Sequence, residues 1–238
     1  MTKQPDRWYF SFRSPYSWLA YRDLSRMRGD LLESLEWRPF FEPGPQLRSA
    51  LKDRGRAIPY VPMSKEKHLY ILQDVHRLAA ERGLVNVWPL DNCPCWETSH
   101  LAWFVAADAG RSRDYVDAIY EARWERSENI SDPQTIRRVG ERIGLNPEAL
   151  AGAASDPEMQ ARGLAALMAV CDDQVFGVPM FITGRDRYWG LDRVQAFAAV
   201  VDVASGKAST AGAVPEVGDT PAVVGGCVTD LGPAGGCG

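Results

Sequence analysis

The chain has 238 residues, 45% of them hydrophobic and 24% charged, which is the composition of an ordinary globular protein with a substantial core. Its net charge of −4 argues against general nucleic-acid binding, because that function favours a basic face. There is no apolar secretion signal and no run of roughly 18 apolar residues, so we expect a cytoplasmic protein without a membrane partner. In that compartment the five cysteines are expected to be free thiols.

The first predicted elements form a βαβ unit. Residues 7–12 alternate and are rich in aromatic side chains, which predicts a strand. Ser14 and Pro15 suit the N-cap and first position of a helix that runs from about residue 16 to 27. Residues 35–41 predict a second strand. Because a helix lies between the two strands, we expect them to be parallel.

Helices dominate the middle of the chain. Residues 42–62 contain repeated prolines and glycines, which predicts a long ordered loop. Periodicity and Ser-, Asp- or Asn-based caps then predict helices near residues 64–82, 97–109, 112–125, 133–143, from 147, and 157–171. Strands return at 178–183 and, after a turn, at 188–189, and a last helix covers 191–204.

The order βαβ, helical block, ββα predicts an α/β fold, a thioredoxin-like sheet with a large helical insertion. We expect a discontinuous thioredoxin-like domain (6–42 plus 172–205) and an inserted helical domain (43–171). Residues 206–238 lack aromatic side chains and are dominated by small residues, which predicts a flexible Gly-rich tail that carries Cys227 and Cys237.

The segment Ser14-Pro15-Tyr16-Ser17 lies where a thioredoxin-type protein keeps Cys-x-x-Cys, but both outer positions are serine. At a helix N-terminus, backbone N–H groups and the helix dipole favour an anion and lower the pKa of a thiol. The Ser14 hydroxyl can therefore donate a hydrogen bond to a thiolate that a ligand brings. The dipeptide alone favours the simpler interpretation, that Ser14 only caps the helix, because Ser-Pro caps are common.

Four segments, from near residue 8 to near residue 200, carry a resemblance to a known family: "YFSFRSPYSWLAY", "EWRPFF", "IYEARWERSENISDPQTI" and "FGVPMFITGRDRYWGLDR". Together they resemble the 2-hydroxychromene-2-carboxylate isomerase and kappa-class glutathione transferase family, a DsbA-like branch of the thioredoxin fold. The resemblance implies a glutathione-dependent isomerase or transferase that acts on a small molecule in aromatic compound catabolism. It also implies a homodimer.

The resemblance assigns roles to individual residues. Ser14 matches the serine that activates the glutathione sulfur. Val178, before an expected cis-Pro179, matches the residue whose backbone pairs with the cysteinyl part of glutathione. Asp192 matches the aspartate that engages the γ-glutamyl end, where a carboxylate accepts a charge-assisted hydrogen bond from the ammonium group. The implied cofactor is glutathione or another low-molecular-weight thiol.

The implied reaction is cis-trans isomerisation of an aromatic or polyketide-like unsaturated carboxylate. A thiolate adds to the conjugated double bond, the resulting single bond rotates, and elimination regenerates the olefin. The substrate carboxylate needs a cation, for which Arg13 and Arg38 are candidates because arginine grips carboxylates bidentately. Each arginine is equally compatible with an ordinary ion pair. Tyr16 is assigned to the same substrate site, and no residue is assigned to a metal.

Two glutathione contacts depart from the family pattern. Leu191 stands where the family usually carries a polar residue, so only its backbone N–H is left to bind a carboxylate. Arg56 stands where an asparagine is common, and its charge is a candidate replacement for the lost contact. Both residues are kept in the cofactor site. These departures question glutathione itself more than the fold.

Cysteines outside the Ser14 segment leave two alternatives open. Cys93 and Cys95 flank a proline ahead of a predicted helix, whose N-terminus can activate either thiol. With His100 nearby they are also candidate metal ligands, although the spacing is not a standard zinc arrangement. One alternative is a DsbA-family thiol-disulfide oxidoreductase that uses Cys93/Cys95 or the tail cysteines. The other is a non-catalytic protein that binds a thiol, a peptide or a partner.

Overall fold

The structure, a computed structural model, describes residues 4–59 and 63–206. Its sheet in the described chain consists of β1 (Arg7–Phe10), β2 (Glu36–Pro39), β3 (Met180–Thr183) and β4 (Asp186–Trp189). The spatial order is β2-β1-β3-β4. β2 is parallel to β1, as predicted, whereas β3 is antiparallel to β1 and to β4.

Helices connect and cover these strands. β1 leads through α1 (Pro15–Met27) and α2 (Gly29–Ser34) to β2, and α10 (Val194–Ala204) follows β4. Between β2 and β3 lie α3 (Pro45–Asp53), α4 (Lys65–Glu81), α5 (Trp96–Asp108), α6 (Ser112–Tyr120), α7 (Pro133–Ile143), α8 (Pro147–Gly152) and α9 (Pro157–Asp172). A π-helical turn, Glu121–Glu125, extends α6, and short 3-10 segments occupy Ala153–Ser155 and Leu191–Arg193.

The predicted fold class is therefore confirmed: an α/β protein with a thioredoxin-like sheet and a large helical insertion. The division into domains stays a prediction, and the predicted tail from residue 207 onward lies outside the described residues. No helix in the described ranges is long and apolar enough to cross a membrane.

The interpretation of residues 42–62 as a loop was wrong in part, because they contain α3. Gly44 and Pro45 begin this helix, and Leu47 and Leu51, one turn apart, are both buried in the core. Because the segment is rich in prolines and glycines, its composition indicated a loop although the short apolar stripe of α3 was present. The short helix α2 was also not predicted, and the first strand ends at Phe10 rather than at residue 12.

Alternation along β1 distributes its aromatic side chains over two faces of the sheet. Trp8 and Phe10 join the large core cluster, where α1 packs through Tyr21, its ring centroid 6.0 Å from that of Trp8. Tyr9 joins the smaller cluster that contains Val178 on the other face. Burial of each Phe-sized side chain contributes roughly 1.5–3 kcal/mol, so this packing holds α1 firmly against β1.

Candidate active site

Ser14 is the N-cap of α1 and is buried. Its Oγ accepts a hydrogen bond from the Ser17 N–H at 3.2 Å and donates to the Val178 carbonyl at 3.4 Å. The second distance exceeds the usual O–H···O range of about 2.5–3.0 Å, so that bond is weak. The Ser14 hydroxyl proton can therefore turn to a stronger acceptor, such as a thiolate, with little loss.

His100 of α5 holds the loop between β1 and α1. Its Nε2 accepts a hydrogen bond from the Phe12 N–H at 3.0 Å, and its Nδ1–H donates to the Trp96 carbonyl at 2.7 Å. Burial lowers the pKa of His100 to about 3, so the ring is neutral with the proton on Nδ1. Both ring nitrogens are engaged in hydrogen bonds, which excludes His100 as a ligand of a metal ion shared with Cys93 and Cys95.

Val178 and Pro179 are joined by a cis peptide bond, as the resemblance implies. The Gly190 N–H donates to the Pro179 carbonyl at 2.9 Å, which brings the segment after β4 beside this peptide. Gly190 has a φ of 104°, and a Cβ at this position would lie 2.7 Å from Asp192 Oδ1. A glycine here therefore leaves room for the Asp192 carboxylate beside Gly190. The Asp192 side chain is 72% exposed, so its carboxylate is accessible.

Three cavities bring most of the predicted site residues together. The Pro179 groove, about 720 Å³, is lined by Tyr16, Asp74, Val178, Pro179, Leu191 and Asp192, among others. The Ser14 cavity, about 80 Å³, is lined by residues that include Arg13, Ser14, Tyr16, Trp88, Arg123 and Trp124. The Arg56 groove, about 390 Å³, is lined by residues that include Arg13, Arg48, Lys52 and Arg56.

Two side chains link these cavities. Tyr16 lines both the Pro179 groove and the Ser14 cavity, and its hydroxyl donates to Asp74 of α4 at 2.8 Å. Arg13 lines both the Ser14 cavity and the Arg56 groove. Ser14 thus lines a partly aromatic cavity that shares one residue with the Pro179 groove and one with the Arg56 groove.

The predicted cations have different surroundings. Arg38 is not among the described residues that line the three cavities, because its guanidinium donates to Glu36 at 2.7 Å and to Asp173 at 3.1 Å. Arg56 pairs with Asp172 at 2.6 Å on the surface. Arg13 lies 3.5 Å from Glu42 and over the ring of Trp96. Of the two substrate cations predicted from the sequence, the structure brings only Arg13 to Ser14 among the described residues.

Arg123 and Asp91 form part of the Ser14 cavity, although sequence reasoning did not single them out. Arg123 lies in the π-helical turn after α6, where Ala122, Arg123 and Trp124 are all buried in succession. Single π-helical turns are frequent at functional sites, and this one contributes Arg123 and Trp124 to the Ser14 cavity. The sequence signal that could have indicated this part of the site was an arginine directly before a tryptophan, Arg123 and Trp124.

The cysteines of the described chain lie elsewhere. Cys93 and Cys95 are exposed, and Cys95 is the N-cap of α5. Neither is among the residues that line the three cavities. Cys227 and Cys237 lie outside the described residues.

Comparison with known proteins agrees with this architecture. A 2-hydroxychromene-2-carboxylate isomerase from Sphingobium xenophagum is 28% identical over 201 residues, which cover 82% of this chain and 95% of the relative. Glutathione S-transferase kappa 1 from Homo sapiens is 24% identical over 204 residues, which cover 80% of this chain and 87% of that protein. A solved structure of a 2-hydroxychromene-2-carboxylate isomerase matches with a TM-score of 0.66 at 23% identity, and covers 86% of this chain and 99% of its own.

These matches confirm the resemblance inferred from the four sequence segments. The family model of the DSBA-like thioredoxin domain matches residues 7–202, from the first strand to the last helix. The chain therefore belongs to the DSBA-like thioredoxin domain family.

Proposed function

We propose that the chain is a glutathione-dependent isomerase of the 2-hydroxychromene-2-carboxylate isomerase type, which isomerises an aromatic or polyketide-like unsaturated carboxylate. The observation that carries this proposal is the position of Ser14. A hydroxyl, rather than a thiol, lies at the N-terminus of α1 and contacts the carbonyl that precedes cis-Pro179. Relatives of that name, or named as a kappa-class glutathione transferase, support the same class of chemistry.

The residues around Ser14 fit a γ-glutamyl peptide with a free thiol. Among the residues that the structure describes, the Val178 carbonyl accepts only the weak bond from Ser14, so it is available to a peptide N–H. The exposed Asp192 carboxylate suits the ligand's ammonium group, and Gly190 leaves open the space that a Cβ would fill. Leu191 contributes its backbone, and Arg56 contributes a positive charge at the other end of the site.

When bound, the thiol supplies a thiolate that adds reversibly to a conjugated double bond, which lets that bond rotate. Ser14 donates its hydroxyl hydrogen bond to the sulfur. The positive end of the α1 dipole acts on the same atom, because Ser14 is the N-cap of this 13-residue helix. Both effects favour the ionised thiol and lower its pKa.

The substrate side of the site is the Ser14 cavity. Trp88 and Trp124 form aromatic walls suited to a planar ring, and Tyr16 lines both this cavity and the Pro179 groove. Arg13 and Tyr16 are kept as substrate-binding residues in this proposal. A homodimer and a cytoplasmic location also stay predictions.

Calorimetric titration with reduced glutathione tests the thiol site, with S-methylglutathione as the matched ligand. We expect the Ser14→Ala variant to bind glutathione more weakly but S-methylglutathione as well as the wild type does, since the methylated sulfur carries no charge. We expect Asp192→Ala to weaken both ligands, since both carry the same ammonium group. Absence of glutathione binding by the wild type would remove glutathione from the proposal and leave other low-molecular-weight thiols.

Conversion of 2-hydroxychromene-2-carboxylate, followed with and without added thiol, tests the reaction. Thiol-dependent conversion that Ser14→Ala reduces supports the isomerase. The oxidoreductase alternative predicts instead that an oxidant removes two thiols reversibly and that Cys93→Ser or Cys95→Ser abolishes this change. Thiol binding without either activity would favour the non-catalytic alternative.

A further inference from the structure

A buried ion pair beside Ser14 has no role in the thiol site. The Arg123 side chain is 3% exposed and pairs with Asp91 through two hydrogen bonds, of 2.9 Å and 2.8 Å. Its guanidinium carbon lies 4.9 Å from the ring centre of Trp96 and 4.8 Å from that of Trp124. Within the part of the chain that the structure describes, Arg123 Nε and Trp124 Nε1 are buried without a hydrogen-bond partner.

The aromatic neighbours make Arg123 a preorganised anion receptor. A guanidinium over indole rings is held in one orientation by cation–π attraction, and burial strengthens its interaction with any carboxylate that reaches it. A buried cation also requires an anionic partner, and Asp91 supplies one in this state. Arg123, Trp124 and Ser14 line the same cavity, so an anion held by Arg123 is a neighbour of the serine.

Asp91 is the more easily moved member of the pair. Its side chain is 27% exposed, and it lies in the irregular segment between α4 and α5, next to the largely exposed Leu90. Val87 ties this segment to the Trp124 carbonyl at 2.8 Å, four residues before Asp91. The Asp91 side chain can therefore turn to water while the segment stays attached.

The size of the cavity requires such a movement. It holds about 80 Å³, whereas ligand pockets typically hold about 300–1,000 Å³. Departure of the Asp91 carboxylate enlarges the cavity and exposes Arg123 in one step. A ligand carboxylate that replaces the Asp91 carboxylate leaves the net charge in the cavity unchanged. The aromatic ring of the ligand then packs against Trp88 and Trp124.

We infer that Arg123 is the carboxylate receptor of the substrate site and that Asp91 occupies it until an aromatic carboxylate displaces it. This inference rests on the proposed function for the identity of the reaction, whereas the binding of an aromatic carboxylate to Arg123 does not depend on it. It places the substrate's carboxylate on Arg123 rather than on Arg13 or Arg38. Neutral aromatic compounds cannot exchange with Asp91, so the pair selects for acids.

Calorimetry with trans-cinnamate and its neutral analogue cinnamamide tests this inference in the absence of thiol. We expect the wild type to bind cinnamate and to bind cinnamamide at least about 10-fold more weakly. Asp91→Asn removes the competing charge, so it should tighten cinnamate about 10-fold or more without changing cinnamamide. Arg123→Met should weaken cinnamate to the level of cinnamamide.

Stability controls separate recognition from a purely structural role. Asp91→Asn leaves Arg123 buried without an anion, so its Tm should fall and cinnamate should restore it. The double variant with Arg123→Met and Asp91→Asn has no unpaired charge, so it should fold and show no preference for the acid. Glu148→Gln breaks another two-bond arginine–carboxylate pair, with Arg137 on the surface, and should change neither affinity.

Several outcomes would overturn the inference: equal binding of acid and amide by the wild type, binding of neither, or weaker cinnamate binding by Asp91→Asn. Because thiol is absent from these titrations, such a failure concerns only the Arg123 site. Failure of the thiol site appears separately, in the glutathione titration of the Ser14 variant.

Discussion

Replacing Ser14 with alanine removes one hydroxyl from the N-terminus of α1, and its main expected effect is on the pKa of a bound thiol. In the proposed complex the Ser14 hydroxyl donates to the thiolate but gives little to the neutral thiol. The hydrogen bond therefore favours ionisation, and its loss should raise the pKa of the bound thiol.

The size of the effect follows from the strength of such a bond. Hydrogen bonds to charged groups contribute about 1.5–3 kcal/mol, and about 1.4 kcal/mol corresponds to a change of one in pKa. We therefore expect Ser14→Ala to raise the pKa of bound glutathione by about 1 to 2. The variant also loses the cap on the Ser17 N–H, which should lower stability by about 1 kcal/mol.

The assay is a pH titration of the thiolate's ultraviolet absorbance in the glutathione complex of each variant. Ser64→Ala is the matched control, because Ser64 caps α4 by accepting from the Lys67 N–H at the same 3.2 Å. Ser64 is not part of the site, so this variant should lose stability and keep the thiol pKa of the wild type. A Ser14→Ala variant that is destabilised but titrates as the wild type does would refute the reasoning and leave Ser14 as a helix cap.

Three further perturbations test other contacts. Gly190→Ala places a Cβ 2.7 Å from Asp192 Oδ1 at a positive φ, so calorimetry should show weaker glutathione binding than in the wild type. The control Gly152→Ala adds a Cβ in open space and should bind glutathione as the wild type does. Equal glutathione binding by Gly190→Ala and the wild type would contradict this account. Since burial lowers the pKa of His100 from 6.5 to about 3, only the unfolded chain binds its proton between these values. The unfolding free energy should therefore decrease as pH falls, less steeply in His100→Asn, and parallel denaturation curves would disagree. Asp173→Asn leaves Arg7 without its carboxylate and Arg38 with Glu36 alone, so it should reduce stability by about 3 kcal/mol with glutathione affinity unchanged. Lost substrate binding at unchanged stability would return Arg38 to the site.

Much of the secondary structure could be predicted because its signals are local. Asp132 accepts a hydrogen bond from the N–H two residues later, and Asp156 accepts from the N–H groups two and three residues later. A proline follows each of them at the first helical position. Ser14 caps the N-terminus of α1 in the same way. These contacts need no distant partner, so the local sequence was sufficient to predict where these helices begin.

The candidate site was predictable only where it depends on short motifs. The choice of Ser14, Val178 and a cis-Pro179 followed from a family resemblance over four segments, and in the structure Ser14 contacts the Val178 carbonyl that precedes the cis bond. Arg38 was a candidate for the substrate carboxylate, although an ordinary ion pair was equally compatible with its sequence. It pairs with Asp173, which lies 135 residues away in the chain, and a single sequence gives no sign of such a partner.

By itself, the sequence determined the α/β class, the order of helices and strands along the chain and the presence of a serine where thioredoxin-type proteins carry cysteine. These properties depend on periodicity, caps and residue identity, which are local. Only the tertiary structure decided which charges remain available, because ion pairs such as Arg123 with Asp91 join segments that the chain separates by 32 residues. It also decided that Arg123 and Ser14 share a cavity, since that juxtaposition arises from packing the π-helical turn after α6 against the N-terminus of α1.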